Sequence, residues 1–274
     1  MRILFCGDVV GRSGREVITH YIPILSEKLY LDFVIVNGEN AASGFGITEK
    51  ICQEFYRSGV QAITTGNHIW DQKETIKFIE RDPRLLRPLN FPSKTPGRGF
   101  NIFQTSKGGK ILIINVMGRL FMESLDDPFA AIEQAIQGHI LGTTVQAIIV
   151  DFHAEATSEK MAMGHFLDGR VSLVVGTHTH VPTADYQILP KRTAYQTDVG
   201  MCGDYNSVIG MEKTIPIDRF VRKLPTERMA PAEGPATLCG VCVDIDDKTG
   251  LALSIKPVRL NGILDQICPD LDKT

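Results

Sequence analysis

The sequence lacks a long apolar run, a compact set of cysteines and any strong excess of positive or negative charge. Its 274 residues contain 29 lysines and arginines and 32 aspartates and glutamates, so that the formal net charge is −3. This balance provides no overall attraction to nucleic acid or to an anionic membrane. No apolar stretch approaches the length that a bilayer span requires, which argues against a membrane-spanning protein.

The sequence also lacks an export signal and a phosphate-binding glycine fingerprint. The apolar run at 3–5 meets Gly7 and Asp8 almost at once, which is typical of a first strand and not of a signal peptide. The six cysteines are scattered, so we expect reduced thiols and a cytoplasmic location. Neither the GxGxxG nor the Walker spacing occurs, which disfavours a metal-free nucleotide-binding protein.

Short apolar runs rich in isoleucine and valine recur along the chain, and amphipathic stretches lie between most of them. Several runs have no polar alternation, which is typical of strands covered on both faces. Alternating strands and helices predict an α/β fold. The runs lie at 3–5, 33–36, 62–65, 111–116, 147–150 and 172–175.

Local signals mark the ends of the predicted helices. Thr48 is predicted to cap the helix after the second run, and Gly59 to end it. Asp127 is predicted to cap a helix that begins at Pro128. Pro23 is expected to kink or restart the helix that follows the first strand.

Beyond the sixth run, strand-like pieces follow one another without long helices between them. The runs 238–246 and 251–260 flank the turn sequence Asp-Lys-Thr-Gly and predict a hairpin. Residues 199–235 are rich in glycine, proline and methionine and are expected to hold at most one short helix, near 217–224. The sequence has no internal repeat and no clear linker, so residues 1–274 are expected to form a single domain.

Polar side chains suited to metal binding or proton transfer directly follow most of the apolar runs. In α/β sheets, ligands bind outside the carboxyl ends of the strands, so these side chains are predicted to converge on one site. An isolated histidine at a strand end is more often structural, but the recurrence of histidine, carboxylate and amide at equivalent ends favours a functional site. These residues are Asp8, Glu39, Asn40, Asn67, His68, His153, His178 and His180.

The segment GTHTH at 176–180 carries two of these histidines. Gly176 is expected to let the chain turn sharply out of the sheet, and His178 and His180 to project to the same side of an extended segment. There they would bind two neighbouring ions or hold one between them. Carboxylates, amides and imidazoles without cysteine suit iron, manganese or zinc. The set is too large for one ion but suits two that share a bridging carboxylate.

Two neighbouring metal ions favour in-line displacement at phosphorus. A water bridging both ions would attack as hydroxide, and the ions would neutralise the charge that builds on the phosphoryl oxygens. His68 follows Asn67 on a chain expected to be extended, so it points away from the metal ligands and can protonate the departing oxygen. The pattern therefore predicts a dinuclear phosphoesterase with His68 as the proton donor.

The order of these motifs resembles the metallophosphoesterases of the calcineurin-like superfamily. That family carries Asp-x-His, Gly-Asp, Gly-Asn-His-(Asp/Glu), a lone His and Gly-His-x-His, where this chain reads GDVV, GEN, GNHIWD, FHAE and GTHTH. Val10 stands where the first histidine is expected, and Glu39, followed by Asn40, stands where the bridging aspartate is expected. These departures match a narrower bacterial family, the YmdB-like metallophosphoesterases, which the chain also resembles in GDVVGRSGR, VNGENAASGFGIT, TTGNHIWDQKE and QTDVGMCG.

The resemblance implies a four-layer αββα sandwich, in which helices flank two central sheets and the dinuclear site lies at one edge. It also implies iron-containing phosphodiesterases that act on 2′,3′-cyclic nucleotides and form homo-oligomers. By position, Asn40 takes the coordination place left by Val10, and His68 is the proton donor. One ion would be held by Asp8, Glu39, Asn40 and His180, and the other by Glu39, Asn67, His153 and His178.

Three functional interpretations remain open. The leading one is a two-metal phosphodiesterase acting on small cyclic nucleotides, with manganese or zinc as alternatives to iron. The second is a nuclease or phosphomonoesterase with the same site; the mild negative charge only weakly disfavours a long nucleic acid, since a local basic groove could still bind it. The third is a non-catalytic regulator that senses a ligand at the site.

Overall fold

The computed structural model describes residues 1–224 and 227–269. Each predicted apolar run forms the body of a strand. The helices are α1 (Gly11–Lys28), α2 (Glu49–Arg57), α3 (Thr75–Phe78), α4 (Pro128–Ile136), α5 (Thr157–Phe166) and α6 (Thr214–Arg222). The strands are β1 (Arg2–Cys6), β2 (Asp8–Val9), β3 (Phe33–Asn37), β4 (Ala62–Thr64), β5 (Phe100–Gln104), β6 (Lys110–Met117), β7 (Ala147–His153), β8 (Leu173–Thr177), β9 (Gln187–Ile188), β10 (Ala194–Gln196), β11 (Met201–Asp204), β12 (Ala236–Ile245) and β13 (Ala252–Leu260).

The strands form two sheets. Sheet I has the order β2-β11-β12-β1-β3-β4, with β13 paired to β12, and sheet II has the order β5-β6-β7-β8-β10-β9. In sheet I, β1, β3 and β4 are parallel; in sheet II, β6, β7, β8 and β10 are parallel. The carboxyl ends of the parallel strands in each sheet therefore lie together at one edge.

Strand β1 shows why its apolar run has no polar alternation. Ile3 and Phe5 pack between the sheets with Ile149 of β7, while Leu4 packs on the opposite face with Ile18 of α1. Successive side chains of a strand point to opposite faces. The run is continuous because one face is covered by sheet II and the other by a helix.

The outer face of sheet II is covered in the same way. Val150 of β7 lies in an apolar cluster with Ile132 of α4 and Met163 of α5, whereas its neighbour Ile149 faces sheet I. On the outer face of sheet I, α1 packs together with α2, which contributes Phe55. The layers are helix, sheet, sheet and helix, so the predicted four-layer αββα sandwich is confirmed.

The predicted helix caps are confirmed, whereas no new helix starts at Pro23. The Thr48 side chain accepts a hydrogen bond from Ile51 N at 3.3 Å, and Asp127 accepts one from Phe129 N at 2.9 Å. Helix α1 continues through Pro23 as one element. Because Pro23 lies on the exposed side of α1, water can satisfy the carbonyl group that loses its N–H partner.

A strand that the sequence does not predict completes one edge of sheet I. Residues 199–235 contain the expected short helix, α6, but also β11, which pairs in parallel with β2 through Met201 and Asp8. The sequence signal for β11 is weak because the strand has only 4 residues and no apolar alternation. Strand β11 supports β2 by pairing with it. The predicted hairpin, which follows β11 in the chain, is confirmed as β12 and β13.

Across residues 1–224 and 227–269, no helix combines the length and apolar character needed to cross a membrane. No disulfide bond joins cysteines within the same described ranges.

We predict that Ile149→Ala will lower the free energy of unfolding by about 2–5 kcal/mol, because it leaves a cavity between the two sheets. Ile102→Ala is the matched control: Ile102 lies on β5 and is 41 % exposed. Its truncation should change the free energy of unfolding by less than about 1 kcal/mol. Urea unfolding followed by circular dichroism measures both values, and equal losses would contradict the position of Ile149 in the inter-sheet core.

Candidate metal centre

The polar residues that follow the strands meet at one edge of the sandwich, between the two sheets. Sheet I contributes Asp8 on β2 and Glu39 after β3, and sheet II contributes His153 at the end of β7. Asp8 and His153 are 0 % exposed and Glu39 is 1 % exposed. The turn after β8 adds His178 and His180. The structure brings these residues together, and their roles as ligands remain a prediction.

His153 lies at the centre of the group. Its Nε2 atom is 3.0 Å from Asn67 Oδ1, 3.1 Å from His178 Nδ1 and 3.2 Å from Glu39 Oε1. Two sets of side chains, each with ligand atoms within 4.8 Å of one another, can hold a metal ion: Glu39, His153 and His178, and Asp8, Glu39 and His180. We call these the two ligand sets. Glu39 belongs to both, as a bridging carboxylate would.

The tautomer of His153 is determined by hydrogen bonds beneath it. Thr177 donates its hydroxyl hydrogen to Asp151 Oδ1 at 2.7 Å, so its Oγ1 must accept from His153 Nδ1, which lies 2.8 Å away. Asp151 is itself held by donors from Asn37 and Thr64. An outer partner of this kind orients a metal-binding histidine. In the neutral imidazole, Nε2 therefore presents its lone pair to the group.

The other two imidazoles, of His180 and His178, are also held so that one ring nitrogen is left as an acceptor. His180 Nδ1 lies 2.8 Å from the Ile209 carbonyl oxygen and must donate to it, which leaves Nε2 unprotonated in the neutral ring. His178 Nε2 lies 3.2 Å from Glu155 Oε2, and its Nδ1 is the atom turned toward His153. In its neutral form, each of the three rings thus has a nitrogen available to bind a cation.

Two buried oxygen atoms in the group, Asp8 Oδ1 and Asn40 Oδ1, have no hydrogen-bond partner in the described part of the chain. Asn40 donates from Nδ2 to the Gly44 carbonyl at 3.0 Å, which fixes its amide and leaves Oδ1 as an acceptor. Buried polar atoms without partners are unfavourable. A cation would satisfy these lone pairs together with those of the imidazoles. The nitrogen and oxygen donors therefore fit two metal ions such as iron, manganese or zinc.

The pKa values of the side chains in this group show how closely their charges interact. Burial raises the pKa of Asp8 to about 6, against the lowering effect of His180 and His153. Burial alone would lower the pKa of His153, but Glu39 and Asp8 outweigh it and raise this pKa to about 9. Burial and the neighbouring His153 lower the pKa of His178 to about 3. A metal ion must therefore displace a proton from His153.

The turn that carries His178 and His180 differs from the sequence expectation. The two residues are not extended but have left-handed backbone angles, with φ of 96° and 67°. This region is unfavourable for residues other than glycine and persists only where the surroundings enforce it. The turn places the two imidazoles in different ligand sets, which favours two neighbouring ions over one ion held between them.

A buried ion pair supports this turn. Asp198 Oδ2 accepts from Lys160 Nζ at 2.9 Å and from the Thr179 backbone N at 3.1 Å and its hydroxyl at 2.6 Å. The Lys160 and Asp198 side chains are 1 % and 0 % exposed. Charge-assisted hydrogen bonds of this kind are strong. They hold Thr179, the residue between the two histidines.

Gly176 has a different role from the predicted one. It lies inside β8, and the chain turns two residues later. A Cβ atom at this position would overlap the Thr197 carbonyl oxygen. Glycine is therefore required because the chain after β10 approaches β8 closely.

His68 lies in a turn over 67–70 and not on an extended chain. Its backbone N donates to Glu39 Oε2 at 3.2 Å, and its Nδ1 lies 2.8 Å from Asp71 Oδ2. The Phe45 ring contacts it edge-on, with 5.1 Å between ring centroids. Asp71 and Phe45 therefore hold the imidazole beside the two ligand sets and not within them.

Sequence reasoning does not identify Asp151, Lys160 and Asp198 as parts of the site. Asp151 lies two residues before His153 in a strand that is buried throughout, and a carboxylate there requires partners. That spacing is the signal that could have found it. Lys160 and Asp198 meet only in the folded chain, and neither has a motif that predicts the contact.

A cavity of about 420 Å³ adjoins the ligand sets. Apolar walls with a few polar groups are typical of a small-molecule site. Most of its apolar lining comes from the loop before α6, from α6 itself and from a residue beyond it: Val208, Ile209, Met211, Pro216, Phe220 and Met229. Its polar side is formed by Glu39, Asn40, His68, His178 and His180.

Comparison with known proteins agrees with this geometry. A family model described as YmdB-like protein matches residues 4–258. A 2′,3′-cyclic-nucleotide 2′-phosphodiesterase of Bacillus subtilis is 51 % identical over 261 residues, covering 95 % of this chain and 97 % of that protein. The crystal structure of a hypothetical protein from Thermus thermophilus has a TM-score of 0.89 at 40 % identity, covering 96 % of this chain and 100 % of that one. The crystal structure of a novel phosphatase from Mycoplasma pneumoniae also has a TM-score of 0.89, at 36 % identity, covering 95 % and 93 %.

We predict that metal uptake by the metal-depleted protein releases protons and strengthens as the pH rises toward 9. Below about pH 9 a proton occupies His153, and below about pH 6 a second occupies Asp8, so both compete with the metal. Isothermal titration with Mn²⁺ at about pH 6 and about pH 8, in two buffers of different ionisation enthalpy, measures affinity and proton release. If the metal affinity does not depend on pH and no proton is released, the prediction that protons on His153 and Asp8 compete with the metal is wrong.

Proposed function

The chain belongs to the YmdB-like family, and we propose that it hydrolyses 2′,3′-cyclic nucleotides as a metal-dependent phosphodiesterase. The observation that carries the proposal is the pair of ligand sets that share Glu39 beside a small-molecule cavity. Two-metal sites of this kind favour in-line displacement at phosphorus. The relative named for this activity supports the substrate class.

For the ligands of the two ions, we propose the assignment that the family resemblance implies. Asn40 is supported by its buried oxygen atom without a partner, and Asn67 by the 3.0 Å between its Oδ1 and His153 Nε2. When bound, the two ions would acidify a water molecule and neutralise charge on the phosphoryl oxygens. The proposed ligands are Asp8, Glu39, Asn40 and His180 for one ion, and Glu39, Asn67, His153 and His178 for the other.

The chain's own part in the chemistry is to deliver a proton. As the oxygen of water bonds to phosphorus, the bond from phosphorus to one ribose oxygen breaks, and that oxygen needs a proton. His68 lines the cavity and belongs to neither ligand set. Asp71 accepts the Nδ1 hydrogen of His68, so Nε2 is the atom that faces the departing oxygen as the proposed donor. The product is a nucleoside monophosphate.

Further expectations belong to the same proposal. We infer iron as the physiological metal, with manganese and zinc as alternatives that the ligand types accept. The chain is inferred to be a single domain over 1–274, to act in the cytoplasm and to form a homo-oligomer. A long nucleic acid is less favoured as substrate, because a cavity of about 420 Å³ suits a small molecule.

We predict that His68→Ala keeps its metal and loses about 10²–10⁴-fold in kcat on 2′,3′-cyclic AMP, because the general acid is lost while the ligand sets remain. Asp71→Asn should lose less, since the imidazole stays but its carboxylate partner is gone. Turnover assays and elemental analysis of bound metal measure both effects. His20→Ala, which changes an exposed histidine of α1, is the control and should match the wild type.

Other outcomes separate the alternatives. Loss of metal from His68→Ala would contradict the position of His68 outside the ligand sets. A metal-loaded wild type that leaves the cyclic nucleotide intact but cleaves RNA or phosphomonoesters would favour a nuclease or phosphomonoesterase. Ligand binding without any turnover would favour a sensing regulator, and failure to take up iron, manganese or zinc would overturn the dinuclear site.

A further inference from the structure

We propose that the cavity has a second anion subsite, in which Arg219 and Lys223 bind a 5′-phosphoryl group of the nucleotide. The inference rests on the proposed function, because it takes the cyclic phosphate as the group that reacts at the ligand sets. A free 2′,3′-cyclic nucleoside phosphate has no other phosphate. A 5′-phosphoryl group is present in a 5′-phosphorylated mononucleotide or in the 3′-terminal residue of an oligoribonucleotide.

The distribution of charge around the cavity is the first observation. Arg219 lines it from α6, and Lys223 lines it from the residue after that helix. Among the described residues of the lining, Glu39 is the one carboxylate, and it belongs to both ligand sets. The α6 side of the cavity therefore presents two basic side chains, of which Arg219 also donates from Nη2 to the Glu227 carbonyl oxygen at 3.3 Å. Guanidinium and ammonium groups recognise phosphate oxygens through strong charge-assisted hydrogen bonds.

A neighbouring basic residue shows that the helix end alone does not explain this arrangement. Arg222 pairs with Asp218, with 3.5 Å between Nε and Oδ1, and does not line the cavity. Basic residues near a helix C-terminus are favoured by the helix dipole, but that effect applies equally to Arg219, Arg222 and Lys223. It does not explain why two of them line the cavity. Arg222 is therefore a matched control.

The apolar part of the lining suits a nucleobase. Phe45 and Phe220 both line the cavity, and Phe220 remains 71 % exposed. Exposed aromatic rings provide stacking surfaces for bases. Lys223 Nζ lies 5.3 Å from the centroid of the Phe220 ring. A nucleotide stacked on Phe220 would thus have a cation beside it, where a second phosphate can be bound.

The subsite indicates which reaction class supplies the substrate. When the 2′-hydroxyl of RNA attacks the adjacent phosphodiester, the 5′-oxygen of the next residue leaves and a 2′,3′-cyclic phosphate remains. The residue that carries this cyclic phosphate has a phosphorylated 5′-oxygen unless it is a free 2′,3′-cyclic mononucleotide. The inferred substrates are therefore the cyclic-phosphate ends of short RNA products.

The test compares kcat/KM of the metal-loaded enzyme on adenosine 2′,3′-cyclic phosphate, on its 5′-phosphorylated form and on the dinucleotide ApA with a terminal 2′,3′-cyclic phosphate. We expect both 5′-phosphorylated substrates to be preferred by about tenfold or more, because a charge-assisted contact is added. Arg219→Gln and Lys223→Gln should each remove most of this preference. Arg222→Gln should retain the preference and the wild-type rates.

Equilibrium binding keeps the test independent of turnover. In metal-loaded His68→Ala protein, adenosine 3′,5′-bisphosphate should bind about tenfold or more tightly than adenosine 3′-monophosphate. Adding Arg219→Gln should remove the difference, whereas adding Arg222→Gln should not. Equal affinities of the two ligands for the His68→Ala protein would overturn the subsite.

The outcomes separate this inference from the proposed function. Equal kcat/KM on all three substrates overturns the subsite and leaves the phosphodiesterase intact. Absence of turnover on all three, with the bisphosphate still preferred, supports the subsite and overturns the phosphodiesterase. A preference for the 5′-phosphorylated mononucleotide alone supports the subsite but overturns its assignment to RNA ends. If Arg219→Gln and Arg222→Gln lose the preference for 5′-phosphorylated substrates equally, the preference comes from the overall charge of α6. That result would overturn the subsite.

Discussion

The centre depends on one electrostatic constraint: lone pairs that are buried away from water need a cation between them. Glu39 and the imidazole nitrogens of His153 and His178 lie within 4.8 Å of one another. They cannot relax by rotating, because each ring is held by a partner outside the group. Thr177 holds one ring and Glu155 another. The need for a cation is therefore built into the folded chain.

Neither sheet contains a complete ligand set, so the site depends on how the two sheets pack. Asp8 and Glu39 come from sheet I, whereas His153, His178 and His180 come from sheet II. The apolar side chains between the sheets determine the separation of these two groups. Close packing transmits small changes in volume to the surrounding atoms. The precision of the metal centre is thus a property of the inter-sheet core.

Much of the fold and the position of the site could be predicted, because their signals are local. Apolar runs identify strands, and the polar residues after them identify the carboxyl ends that meet at one edge. The left-handed turn at His178 and His180 could not be predicted, since it depends on Asp198 and Lys160, which approach it only in three dimensions. The close contact with Thr197 that requires Gly176 depends likewise on a neighbouring strand.

The two-sheet origin of the proposed ligands also affects how long the folded chain persists. Asp8 Oδ2 accepts a hydrogen bond from the His178 backbone N, 170 residues away in sequence. Ions held across this junction would bind the folded chain, in which the two distant segments meet, and not the opened chain, in which they are apart. Proteases act on opened chains, whose population falls as ligands bind the native state. Cellular metal supply would then set the abundance of the protein as well as its activity.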